Sequence, residues 1–139
     1  MAVKTDTLGK GWQHPFQFSV LGGIEKARGV ELVKMSIRQI VATRIGSRCP
    51  LRAFGSPLKD LVFTPIQPDL EALLVHFVRE AIEKWEKRVR VSNVSVDIGE
   101  RNEGRVDISV GFTVITTQEE GNLVFPFFLS PAERKAQGV

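Results

Sequence analysis

The sequence has no tyrosine, a single cysteine, two histidines and no long apolar run. Cys49 alone cannot build a disulfide framework, so nothing calls for an oxidising compartment. Cys49, His14 and His76 have no second ligand at a clustered spacing, so a zinc site would need remote residues to converge. No metal or other cofactor is expected. No segment approaches the ~20 apolar residues that span a bilayer, and the stretch from Met1 to Gly11 is too polar for the core of a secretion signal. A membrane partner is therefore not expected. Charge of one sign is scarce too: 19 Lys+Arg against 16 Asp+Glu gives +3, which permits an acidic partner without requiring one. What is present is 139 residues, 42% hydrophobic and 25% charged. That is enough for one folded domain and too apolar for a disordered chain.

Three zones differ in texture. Residues 1–29 carry scattered glycines and the aromatics Trp12, Phe16 and Phe18 without a sustained period. They read as an irregular arm with a short extended stretch at 16–20, lying against its own domain or a neighbour. Residues 30–129 read as one α+β domain. Val30, Val33, Ile37, Ile40 and Val41 fall at helical spacing, with Gly46 as a stop. After a loop to Gln67, Pro68 opens a second helix whose stripe runs from Leu70 to Val89, about 20 residues. Glu80–Lys84 and Glu83–Lys87 are placed to pair on its outer side. The period then changes to two. Val94, Val96 and Ile98 alternate, with Val91 out of phase and a bulge implied near Asn93. Val106 to Val114 alternate strictly after a turn at 99–104. A turn at 118–122 leads to a last strand, 123–129. The architecture expected is two main helices packed on a three-stranded antiparallel meander. The last strand carries Val124 and Phe128 on the face that should be wet, and Pro126 marks it as an edge. Residues 130–139 read as a frayed polar tail.

Reactive constellations are scarce. Gly9-Lys10-Gly11 lacks both the leading glycine and the hydroxyl residue of a phosphate loop. His76 sits on the polar side of the long helix. Cys49, beside Pro50, reads as a small apolar filler rather than a nucleophile. Asp60, Glu71, Glu80, Glu83 and Glu86 supply acids for glycoside cleavage, which needs two about 5–9 Å apart in a cleft. Glu80 and Glu83 share a helix face, and the basic residue four positions on from each favours ionised, solvated carboxylates instead. Basic residues cluster at Arg38, Arg44, Arg48, Arg52 and Lys59, and again at Lys84, Lys87, Arg88 and Arg90. The helix dipole accounts for the second group. The first offers few stacking aromatics beyond Phe54, which disfavours nucleic acid. No catalytic residue and no small-molecule substrate is assigned.

The loop and long helix are more specific. Gly46-Ser47-Arg48, then Phe54-Gly55-Ser56-Pro57-Leu58-Lys59-Asp60-Leu61-Val62-Phe63-Thr64-Pro65, resembles the signature loop of the baseplate sheath-initiator family. These are lysozyme-like wedge proteins of contractile phage tails, phage-like injection particles and type VI secretion baseplates. Trp85-Glu86-Lys87-Arg88-Val89 stands where that family has Trp-Glu-Pro-Arg-Val, with Lys87 in place of the proline. Gly11-Trp12, Pro15-Phe16 and Gly22-Gly23-Ile24 are similar to the arm of the phage-like members. Ala53 and Thr64 depart from the acids frequent at those positions.

The resemblance implies a structural protein rather than an enzyme, assembled in the bacterial cytoplasm into the baseplate of a phage tail or injection particle. It implies wedge contacts at Phe54, Gly55, Asp60, Trp85, Glu86 and Arg88, and arm contacts at Trp12 and Phe16. It also implies that sheath subunits add strands to the sheet, along an edge carrying Val91, Val94, Val96 and Ile98 or one carrying Leu123, Val124, Phe125, Phe127 and Phe128. Baseplate wedge proteins and sheath subunits are the expected partners, with tail tube or hub proteins as further candidates. Unpaired edge groups suit that use. A peptidoglycan-cleaving lysozyme is the alternative, and a small nucleic-acid-binding module a weaker one.

Overall fold

A ten-residue strand of unbroken alternation lies at the centre of the fold. In β4 (Arg105–Val114), Val106, Ile108, Val110, Phe112 and Val114 are all buried on one face, while Asp107, Ser109, Gly111 and Thr113 turn to the other. A computed structural model describes residues 5–61, 65, 67–98 and 104–129. In it β3 (Val89–Ile98) and β5 (Glu120–Phe128) flank β4, both antiparallel to it, in the order β3-β4-β5. Val110 lies opposite Val94 on one side and Leu123 on the other, so the three apolar rows share a face. That face is covered by α1 (Gly29–Ala42) and α2 (Pro68–Trp85). Val33, Ile37, Leu70, Leu74, Val78 and Ile82 are among the helix residues sunk into the core. Each contributes on the order of 1.5–3 kcal/mol by leaving water. The expected α+β meander is therefore the observed one.

The boundaries differ in instructive ways. α2 ends at Trp85, so Val89 is the first residue of β3 rather than the last of the helical stripe. α1 ends four residues before Gly46; the Thr43 hydroxyl donates to the Gln39 carbonyl at 2.6 Å and closes the last turn. The β3 register shifts between Val91 and Asn93, the expected bulge. β5 begins at Glu120, with the turn at 115–119 rather than 118–122. The turn expected at 99–104 lies, apart from Gly104, outside the described residues, as do Val62, Phe63 and Thr64 and the tail 130–139. Lys84 sits over the Trp85 ring at 5.4 Å, and Lys87 donates to the Glu83 carbonyl at 2.9 Å, in place of the expected pairs with Glu80 and the Glu83 carboxylate.

The arm is more ordered than its sequence suggested. β1 (Lys10–Trp12) and β2 (Lys26–Arg28) pair antiparallel, and the chain between them folds back on itself. Phe18 and Ile24 form one further bridge, so the stretch at 16–20 is not a strand of its own. A 3-10 turn at Thr5–Leu8 precedes β1 and buries Leu8.

Candidate functional site

The chain leaves α2 through a corner that holds a buried charge. Glu86 is only 4% exposed. Arg88 meets its carboxylate with both ends of the guanidinium, Nε to Oε1 at 2.7 Å and Nη2 to Oε2 at 2.6 Å. This two-point geometry is the strongest form of the pair. Arg88 Nη1 donates at 2.9 Å to the carbonyl of Leu8, so the same side chain ties the arm to the end of the long helix. Burial alone pushes the Glu86 carboxyl up; hydrogen bonds from Arg88 and from Ser36 of α1, with the Arg88 charge, outweigh it and hold the pKa below its ordinary value. The bond to Glu86 raises Arg88 in turn, against its own desolvation. Both expected anchor residues are brought together here, and each is already engaged within the chain.

The loop after α1 builds the neighbouring surface. Gly55 has φ +118, and a side chain there would overlap the Thr43 carbonyl oxygen. The close approach lets Ser56 N–H reach that oxygen at 2.9 Å and the buried Ser56 hydroxyl reach the Val41 carbonyl at 2.8 Å. The Phe54 ring then packs edge-on against Trp85 at 5.1 Å, and the Arg48 guanidinium lies over the Phe54 ring at 4.9 Å. Gly55 and Trp85 line a shallow notch of about 80 Å³ with Ile45, Phe77, Glu80 and Lys84. Trp85 Nε1 is buried without an acceptor among the described residues. Asp60 is held apart from this notch by Arg44, whose Nε donates at 2.9 Å. Arg44, Ser36, Ser56 and Leu8 are the contributors that sequence reasoning missed. Arg44 stood out only as one of a basic cluster and Ser56 only as part of the signature loop, while Ser36 and Leu8 carry no motif.

The sheet ends differ from the corner in kind, because what they offer is backbone. Leu129 N–H donates to Gly104 O at 2.7 Å and Val114 N–H to Glu119 O at 2.9 Å. With the unshifted register between them, these bonds turn the odd-numbered residues of β5 toward β4. Asn122, Val124 and Phe128 therefore point N–H and C=O away from the sheet, and Pro126 presents a carbonyl alone. On the other side Ile115 N–H donates to Arg88 O at 2.9 Å. Beyond the bulge, Asn93, Ser95 and Asp97 face β4, and Val94, Val96 and Ile98 direct their backbone groups outward. Among the described residues no strand pairs with either outer side. The side chains of Val91, Val94 and Leu123 are buried, those of Val96, Ile98, Phe125, Phe127 and Phe128 half-buried, and Val124 is 54% exposed.

In the arm, Trp12 and Phe16 meet edge-on at 5.9 Å and both remain exposed. Cys49 is exposed, which corrects its reading as a filler. His76 lies on the surface 3.5 Å from Glu80. No helix among the described residues is long and apolar enough to cross a membrane.

A family model described as baseplate wedge protein gp25 matches residues 27–119. Over 66 residues the chain is 36% identical to baseplate protein W of Escherichia phage P2, an alignment covering 48% of this chain and 57% of that protein. The chain thus spans little more than half the length of this curated relative. A crystal structure from Geobacter sulfurreducens, provisionally called a tail lysozyme, superposes with a TM-score of 0.67 at 34% identity, covering 71% of this chain and 89% of that one. A chain of the anti-feeding prophage baseplate shares the fold with a TM-score of 0.65 at 21% identity, covering 97% of each.

Proposed function

The chain belongs to the baseplate wedge protein gp25 family, and from that premise we propose that it is a non-catalytic subunit of a contractile injection baseplate. In this reading it anchors to the wedge at the corner where α2 ends, and starts the sheath by receiving sheath strands on its sheet. The observation that carries the reading is the pair of outer strands left open among the described residues. Edge groups without partners are a template for strand addition, with backbone bonds giving affinity and alternate side chains giving register.

The corner suits anchoring. The notch beside Phe54, Gly55 and Trp85 is of the size of one small side chain, and the Trp85 indole N–H is without an acceptor among the described residues. Glu86 acts as the positioning residue: it fixes Arg88, about a third of whose side chain faces solvent, leaving the outer guanidinium edge for a wedge carbonyl or carboxylate. Asp60 steadies the loop through Arg44. Sheath subunits are the expected partners at the sheet and other baseplate components at the corner, with assembly in the bacterial cytoplasm.

Seeding decides the matter. Purified chain added below stoichiometry to sheath subunits is expected to shorten the lag of sheath polymerisation; an unchanged lag overturns the reading. The name of the Geobacter relative raises peptidoglycan cleavage as the alternative. The buried Glu86 does not suit the part of its general acid, which needs a raised pKa, because its carboxyl is held in the opposite direction. Turnover of peptidoglycan by the purified chain would favour the enzyme.

A further inference from the structure

The two open sides of the sheet are not equivalent. β5 presents an interrupted row: outward N–H groups at Glu120, Asn122, Val124 and Phe128, and none at Pro126. Proline is a common guard on an edge that must not pair along its whole length. β3 is broken only near its start, by the bulge between Val91 and Asn93. From Val94 to Ile98 its register on β4 is regular, and Val94, Val96 and Ile98 all offer both a donor and an acceptor.

Two further features of β3 describe what would lie there. On the helix side, Val89, Val91 and Val94 are buried but Val96 and Ile98 are only half so. The far end of the strand is therefore short of apolar cover among the described residues. On the opposite face Asp97 stands directly across from Asp107. Arg105 takes up Asp107 at 3.0 Å, while exposed Asp97 has no cation among the described residues. Like charges directly opposite one another destabilise a ladder. A third strand with a basic side chain beside Asp97 would relieve the repulsion.

We infer that β3, and not β5, is the receiving edge, and that its occupant is an extended sheath segment with apolar residues beside Val96 and Ile98 and a Lys or Arg beside Asp97. This rests on the strand-addition reading and adds to it the edge, the register and the chemistry of the partner. The residue across from Asp97 shares its face and has the short side-chain spacing of a non-hydrogen-bonded pair. One basic residue flanked by two apolar ones is therefore the pattern selected.

The experiment replaces single outward amides by esters, at Val96 on β3 and at Val124 on β5, each change deleting one N–H that takes no part in the bonds to β4. Seeding of sheath polymerisation is measured as above, with thermal unfolding as a control for the fold. The Val96 ester is expected to cut seeding about tenfold, the worth of one edge hydrogen bond, and the Val124 ester to leave it unchanged. The reverse result overturns the edge assignment while strand addition survives. Loss with both esters overturns the choice of a single edge. Loss with neither, in a chain that seeds when unmodified, removes strand addition itself. Asp97→Lys is expected to impair seeding and to be rescued by an acid in place of the basic residue of the sheath segment; failure of that exchange overturns the charge assignment.

Discussion

Glu86 and Arg88 form a pair in which neither residue can be removed harmlessly. Arg88→Ala leaves a carboxylate that is 4% exposed without its counter-charge. Breaking a fully buried pair costs about 3–5 kcal/mol, and the partial exposure of Arg88 reduces this to about 2–3 kcal/mol, readable by urea denaturation. Because folding lowers the Glu86 pKa, its contribution is full above the ordinary value of 4.5 and is lost as pH falls through the lowered folded value. Unfolding titrations between pH 7 and 3 are expected to show that loss in the native chain, and Glu86→Gln to flatten it. The two residues were legible in the sequence through their motif, but what they hold was not. Leu8 lies 80 positions away and contributes a carbonyl, a group every residue has and no pattern marks.

At the scale of elements, Gly55 is the tightest point. Gly55→Ala meets both a φ of +118 and the Thr43 carbonyl, so a loss of about 2 kcal/mol or more is expected. It should be accompanied by loss of the Phe54–Trp85 packing, seen as a shift in tryptophan fluorescence. Gly121 is constrained by packing instead: the buried Phe112 ring covers the space where its side chain would go. Long periodic elements were legible because a stripe of 14 to 18 residues repeats its signal several times. β4 was legible for the same reason. The strands of the arm were not, since three residues contain barely one period. Val89 was assigned to the helix because a single valine at the seam satisfies either spacing. The backbone, not its side chain, decides, with Glu86 N–H making the last helical bond to Ile82.

At the scale of the whole molecule, the exposed apolar residues of the arm add little buried surface to the fold. Val20 and Leu21 at its tip are fully exposed. Val20→Ser with Leu21→Ser is expected to leave the unfolding free energy unchanged within about 0.5 kcal/mol, while lowering any tendency of the free chain to associate. Asp97→Lys is expected to raise the stability of the isolated chain by about 0.5 kcal/mol through relief of the Asp107 repulsion. That opposes its expected effect on seeding, and thermal melts read beside seeding assays separate the two. The gap at Pro126 has one more consequence. Two copies of a chain with a free left border and a free right border can stack one on the next without limit, and such head-to-tail contacts yield fibres unless rotation closes them. A missing donor in one border stops that stacking from keeping an unbroken seam. Exchange of Pro126 for valine is then expected to let copies of the free chain pair edge to edge, with fibrils visible by thioflavin binding.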